Sequence, residues 1–225
     1  LSPYMRQLEV RHLLTMSSGH DVDPTSFVKQ NYDSCRIRGF FAAPLVHKPG
    51  TYFVYNNQCS YVLSAILQKV TGEKLSDYLY KRLFRPLGIV GIEWKESPEG
   101  VCLGNGGLKL KTEDMAKIGL LCLNNGNYNG KQIISSNWIK EMTTFREVKS
   151  DYFRGMEYGY LWWIIDRKKN IYAAIGNSGN VIYVNPEKNI VIAVSSYFKP
   201  TIFDRVDFIQ EYIEPLVTNS NMRNN

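Results

Sequence analysis

The chain has 225 residues, 44% of them hydrophobic, and a formal net charge of +6. That is apolar content enough for a core in one large or two small domains, and the lysines and arginines are scattered, which argues against nucleic-acid binding. Cys35, Cys59, Cys102 and Cys122 lack C-x-x-C spacing and neighbouring histidine pairs, which argues against both a metal centre and a disulfide scaffold, and no apolar run reaches the roughly 18 residues of a membrane-spanning helix.

In chain order, residues 1 to 150 read as a mainly helical lobe. Arg11 to Met16 forms a helical turn stopped at Gly19, with His12 as a structural residue of that turn. A helix from Gln58 to Val70 places Val62, Leu63, Ile66, Leu67 and Val70 at helical spacing, and Cys59 within it reads as a core residue. A second helix spans Leu75 to Phe84 with Tyr78, Leu79 and Leu83 inward. Thr112 reads as the N-cap of a helix over Asp114 to Asn124, with Cys122 in its core, ending at Asn124-Asn125-Gly126. Ser136-Asn137-Trp138 opens a further helix to about Thr143.

After Asp151 the pattern changes to strands: Tyr158 to Asp166, Ile171 to Ile175, Val181 to Asn185 and Ile190 to Ser196. The turns between them are short, which predicts an antiparallel meander. Phe203 to Val217 follows as an amphipathic helix, with Val206, Ile209, Ile213 and Leu216 available to lie on the sheet, and residues 219–225 form a polar tail. The architecture is α+β, an antiparallel sheet flanked by helices with a mostly helical lobe, and the divisions are 1–150, 151–218 and the tail, within one structural domain.

Tyr55-Asn56-Asn57 stands at the mouth of the Gln58 helix. A phenol can shuttle a proton once its pKa is lowered, and a carboxamide two residues on can both donate and accept. Asn57 also has a structural reading, as an N-cap of the helix that follows. The neighbours make the motif specific. Arg11-His12-Leu13-Leu14-Thr15-Met16-Ser17-Ser18-Gly19 precedes it, and Pro49-Gly50-Thr51-Tyr52-Phe53-Val54 leads into it. Val70-Thr71-Gly72, Phe84-Arg85-Pro86-Leu87-Gly88, Gly106-Gly107-Leu108 and Thr112-Glu113-Asp114-Met115-Ala116-Lys117 follow in order. Over roughly residues 6 to 198 this pattern resembles the serine β-lactamase-like family, which holds class C β-lactamases, DD-peptidases, related esterases and 6-aminohexanoate-dimer-type amide hydrolases.

The resemblance implies a β-lactamase/transpeptidase fold and hydrolysis of an ester or amide through an acyl-serine, with no cofactor and no metal. Tyr55 matches the family's motif tyrosine, and Asn57 would hold the catalytic lysine and the substrate carbonyl. The family's K-T-G or H-x-G strand motif corresponds to Ala174-Ile175-Gly176. Gly176 keeps the strand open to substrate, the Asn177 backbone N–H is one oxyanion donor, and Ala174 stands where the family carries a cation or imidazole. That replacement favours an esterase, an amide hydrolase or a non-catalytic relative over a true β-lactamase.

The family's S-x-x-K nucleophile is expected ahead of Leu1, together with the first strands of the sheet, so the chain reads as a C-terminal fragment that is inactive alone. A formal S-x-x-K at Ser26-Phe27-Val28-Lys29 reads as a surface helix or loop. The alternative is a non-catalytic fragment or pseudoenzyme that binds a peptide-like ligand or a partner polypeptide. The expected partners are a small ester or amide substrate, or a peptidoglycan-like peptide. A second chain or an N-terminal segment would complete the sheet at an unpaired edge, either the Tyr158 or the Ile190 strand. Trp94 and Trp138 read as core or rim residues, and either Trp162 or Trp163 can line the cleft.

Overall fold

A computed structural model describes residues 3–32, 34–146, 156–197 and 204–217. The expected boundary at 150, the first residue of the C-terminal helix at 203 and the tail from 219 lie outside them. In chain order the elements are α1 (Val10–Leu14), α2 (Thr25–Tyr32), α3 (Arg36–Ala42), α4 (Asn57–Thr71), α5 (Leu75–Leu79), β1 (Glu93–Trp94), β2 (Leu108–Lys109) and α6 (Thr112–Leu123). Then come β3 (Asn127–Tyr128), β4 (Lys131–Gln132), α7 (Ser136–Met142), β5 (Glu157–Tyr158), β6 (Trp163–Asp166), β7 (Ile171–Gly176), β8 (Asn180–Asn185), β9 (Ile190–Val194) and α8 (Asp204–Phe208). They fall into two compact units, each built from two stretches of chain: Leu1–Leu110 with Arg146–Leu161, and Lys111–Phe145 with Trp162–Asn225.

The first unit is mostly helical. Its longest helix, α4, starts where the Asn56 side chain accepts from the Gln58 N–H at 2.9 Å and stops at Gly72, whose φ of +68° is a left-handed C-cap. The N-cap is therefore Asn56, and Asn57 is the first helical residue. This corrects the N-cap reading of Asn57 and leaves its amide for other work. Tyr61 and Ala65 turn inward from α4 onto Val101. The helix expected over Leu75 to Phe84 is α5 continued by a π turn over Tyr80–Phe84. Leu75 and Phe84 are the buried residues, and Tyr78, Leu79 and Leu83, expected inward, are only half-buried.

The second unit has three layers. In its sheet β6, β7, β8 and β9 pair antiparallel in sequence order, as the short turns predicted. One face carries Ala173, Val181 and Tyr183, packed with Ile209 from the C-terminal helical segment. The other face takes α6. Gly119 makes that approach possible: a Cβ there would stand 2.5 Å from Val191 Cγ1 and 2.9 Å from Ile182 Cγ2. Thr112 is the first residue of α6 and Lys111 its N-cap, not Thr112 as expected.

Two further expectations need correction. The strand predicted over Tyr158 to Asp166 is two strands, β5 and β6, because Leu161 between them has a φ of +62° that no continuous strand can hold. Leu216 is 66% exposed and does not lie on the sheet. A π turn over Ile209–Ile213 rotates the end of the C-terminal helix, and Glu214 takes the inward position. The Glu214 carboxylate is then met by Tyr183 Oη at 2.6 Å, Asn185 Nδ2 at 3.1 Å and Lys188 Nζ at 2.6 Å. Trp162 and Trp163 are both buried, so neither presents an open surface within its unit.

Candidate active site

The Y-x-N segment enters the first unit as an extended run beside the end of α1: Gly50 N–H donates to Ser17 O at 2.8 Å and Val54 N–H to Met16 O at 2.9 Å. The chain then turns into α4, so Tyr55 and Asn57 are held between a backbone ladder and a helix start. Both are half-buried.

Asn57 is seated on Asp23, a residue outside the sequence motif. Its Nδ2 donates to Asp23 Oδ2 at 2.7 Å, with its backbone N–H 3.4 Å from the same oxygen. A carboxylate only accepts, so the amide face turned to Asp23 is the NH2 group, leaving the Oδ1 acceptor and the second N–H for other partners. The other oxygen, Oδ1 of Asp23, takes the Thr25 N–H at 3.0 Å and the Thr25 hydroxyl at 2.7 Å, an Asx turn at the start of α2. Gln58 Nε2 donates to that hydroxyl at 3.1 Å, which ties α4 to α2 a second time. Asp-Pro-Thr is a legible turn signal in the sequence, but its contact with residue 57 is tertiary and carries no local signature.

Tyr55 packs edge-on against Tyr158, ring centroids 6.4 Å apart, and Tyr158 also meets Phe53 edge-on at 5.3 Å. Burial, with the Asp23 charge adding to it, holds the Tyr55 hydroxyl above its ordinary pKa. The phenol is thus neutral at physiological pH and becomes a base only when a cation is brought to it.

Beneath the motif lies a buried polar cluster. Ser18 Oγ is 2.9 Å from His20 Nδ1, and Asn56 Nδ2 reaches Ser18 Oγ at 3.3 Å. Burial lowers the His20 pKa to about 4, against smaller raising effects from the Phe40 backbone and Asp23, so the imidazole is neutral. The Cys59 thiol is pushed up to about 12, chiefly by burial, and is no nucleophile. His12 Nδ1 accepts the Glu9 N–H at 3.0 Å, a structural role at the start of α1 as expected. Ser26 lies exposed on α2, matching the surface-helix reading. The sequence carries a second S-x-x-K, Ser196-Tyr197-Phe198-Lys199. Its serine accepts from Arg205 Nη2 at 3.3 Å, and its lysine lies outside the described residues.

Gly176 and Asn177 belong to the second unit. Gly176 ends β7 and pairs with Asn180 of β8. The chain reverses through Ser178 and Gly179, with φ of +64° and +79°. Asn177 is exposed. Its Oδ1 accepts the Ser178 N–H at 2.9 Å, and its carbonyl accepts from Asn180 Nδ2 at 2.9 Å. A Cβ on Gly176 would meet Asn180 Cβ at 3.5 Å, an ordinary contact, so internal packing does not demand glycine there. Ala174, opposite Ile182, brings no charge to the strand. Among the described residues no group of His, Cys, Asp or Glu could hold a metal ion.

The Beta-lactamase family model matches residues 3–208, almost the whole chain. The chain belongs to the β-lactamase family. Among curated relatives, a 6-aminohexanoate-dimer hydrolase from Paenarthrobacter ureafaciens is 25% identical over 66% of this chain and 40% of its own length. A lovastatin esterase from Penicillium rubens is 33% identical over 39% of this chain and 24% of its own. A solved Bacillus anthracis structure, regarded as a candidate 6-aminohexanoate-dimer hydrolase, superposes with a TM-score of 0.76 at 21% identity, covering 96% of this chain and 62% of that one. This β-lactamase-family chain therefore has the α+β, β-lactamase-like fold that its sequence pattern implied, and it spans less than two thirds of the length of each of these relatives.

Proposed function

We propose that the chain contributes the tyrosine–asparagine part of a serine hydrolase that cleaves small esters or amides through an acyl-serine intermediate. The observation that carries this reading is the seating of Asn57 on Asp23 beside the neutral Tyr55 phenol, within a family match running from residue 3 to residue 208. Tyr55 passes the proton between nucleophile and leaving group, the free Oδ1 of Asn57 accepts from an ammonium, and its second N–H supports the substrate carbonyl. The Asn177 backbone N–H serves as an oxyanion donor, and Gly176 leaves room at the strand end for substrate. Tyr55 needs a cation to act as a base, and Asp23 opposes that need, so the reading calls for a lysine close to the phenol. We place the serine and this lysine in sequence outside the 225 residues, since Ser26 lies on a surface helix.

Ala174 points to the substrate class. Without a cation on the strand, a substrate carboxylate loses about 1.5–3 kcal/mol of charged hydrogen bonding. Simple esters and amides are accordingly favoured over carboxylate-bearing β-lactams.

The test pairs the 225-residue chain with the same chain extended by the coding sequence ahead of Leu1. Fluorophosphonate labelling and p-nitrophenyl butyrate hydrolysis are measured on both. The shorter chain is expected to take no label, and the longer one to hydrolyse the ester with kcat/KM falling about 10²–10⁴-fold on Tyr55→Phe. Labelling of Ser26 or Ser196 in the shorter chain, or an extended Tyr55→Phe variant that stays fully active, overturns the assignment.

A further inference from the structure

The second unit holds a cavity of about 530 Å³ between the end of α6, α7 and the turns that close β6–β7 and β8–β9. That volume suits a small organic ligand. Every residue lining it belongs to the second unit, and it opens at the Tyr172 end of β7, four residues or about 13 Å along the strand from Gly176. It is therefore distinct from the strand end assigned to the hydrolytic reaction, and the inference does not depend on that reaction.

Two features of the lining point to a ligand. Tyr172 lines the cavity, and among the described residues its hydroxyl has no hydrogen-bond partner. A phenol O–H at the cavity wall without a protein acceptor is available to donate to a bound oxygen. Burial, with the neighbouring Cys122 adding to it, raises the Tyr172 pKa far above its ordinary value, so the group stays an O–H donor. The second feature is Lys140. It is exposed at the cavity and has no ion-pair partner among the described residues. The lining contains no Asp or Glu to compete for it. Leu123, Ile139 and Pro186 supply apolar wall.

We propose that this cavity binds a small organic carboxylate, its anion on the Lys140 ammonium, an oxygen accepting from the Tyr172 hydroxyl, and its apolar body against Leu123 and Ile139. A lone cation in a concave wall without acids selects an anion, and a neutral phenol O–H adds a donor with fixed direction.

The experiment titrates the isotope-labelled 225-residue chain with benzoate and hexanoate, and with benzamide and hexanamide as uncharged counterparts, following backbone amide shifts by NMR. Saturable shifts are expected at Leu123, Lys140, Thr143 and Tyr172 with at least one of the carboxylates. Its amide counterpart should bind at least about tenfold more weakly. Lys140→Ala, a change at an exposed position, should weaken the carboxylate about tenfold, and Tyr172→Phe several-fold, with the shift pattern elsewhere unchanged. Absence of saturation with both carboxylates, equal binding of acid and amide, or an unaltered affinity in Lys140→Ala overturns the proposal.

Discussion

The Asn57 Nδ2–H donates to Asp23 Oδ2 at 2.7 Å, a bond that joins the first residue of α4 to the loop entering α2, 34 positions earlier. Through it one carboxylate both fixes the orientation of the motif amide and sets the field at Tyr55.

Asp23→Ala removes the acceptor for Asn57 and for both donors of Thr25. Charged hydrogen bonds of this kind are worth about 1.5–3 kcal/mol, and the site is only part-buried, so water replaces some of the loss. The expected destabilisation is about 2 kcal/mol by urea unfolding, falling to about 1 kcal/mol for Asp23→Asn, which keeps one acceptor for Thr25. An Asp23→Ala variant as stable as the parent would show that the bond is incidental.

Much of the fold was legible because it is written in local pattern. The meander β6 to β9 follows from β-branched runs with short turns between them, and α4 from helical spacing closed by Gly72. The misplaced elements share one cause. The π turns at Tyr80–Phe84 and Ile209–Ile213 and the left-handed Leu161 change the phase or break the run; Pro86, Pro215 and Gly159 each lie two residues from one of them, but a proline or glycine that close does not by itself specify a π turn or a left-handed leucine. In the candidate site, Tyr55 and Asn57 were legible as a motif. Asp23 was not, because its function rests on a contact across 34 residues that no spacing rule encodes.

Tyr55 should titrate above the ordinary tyrosine range. Burial, then the Asp23 charge, raises its pKa, so the folded phenol stays neutral where an unfolded one ionises. The sign follows directly: a raised folded pKa contributes stability that is intact below about pH 10 and is lost as pH climbs past it. Site-resolved ¹³Cζ NMR of labelled tyrosine should place Tyr55 above 10, and Asp23→Asn should move it downward. A Tyr55 midpoint below 10 in the parent would contradict the field described here.

His20 predicts an acid-sensitive first unit. Its pKa falls from 6.5 to about 4 on folding, mainly by burial, so the unfolded chain binds this proton first. Stability contributed by the neutral form is present above the unfolded pKa of 6.5 and is lost as pH falls toward 4. Between pH 7 and pH 5 the loss amounts to about 2 kcal/mol. Urea unfolding at the two pH values should show that difference shrink in His20→Gln, which cannot titrate. An identical pH slope in the two proteins would remove His20 as the cause.

Glu214 should be among the most sensitive polar positions of the second unit. Burial pushes its carboxyl up, but hydrogen bonds from Lys188, Tyr183 and Asn185 outweigh this and hold its pKa below the usual value. Replacing it by leucine strands the Asn185 amide and weakens the bonding of Tyr183. Breaking a buried charged pair costs about 3–5 kcal/mol, and the lower end applies because Lys188 can return to water. The carboxylate's contribution is present above its unfolded pKa and is lost as pH falls through the folded one, so Glu214→Leu should narrow its gap to the parent at acid pH. A gap independent of pH would place the effect in packing alone.

Gly119 sets two opposed effects against each other. An alanine there gains about 1 kcal/mol of helix propensity in the middle of α6. Its Cβ, however, would stand 2.5 Å from Val191 Cγ1 and 2.9 Å from Ile182 Cγ2, both carried on strands of the same sheet. Forcing an extra methyl into such a contact costs about 1–3 kcal/mol, and here the neighbours are β-branched side chains with little rotamer freedom to yield. Sterics should therefore win, leaving Gly119→Ala about 1 kcal/mol less stable than the parent by urea unfolding. The double variant Gly119→Ala with Val191→Ala frees the space beside the new methyl, so its loss should fall short of the sum of the two single losses. Strict additivity of the pair, or a Gly119→Ala chain more stable than the parent, would mean that α6 does not need the glycine to reach the sheet.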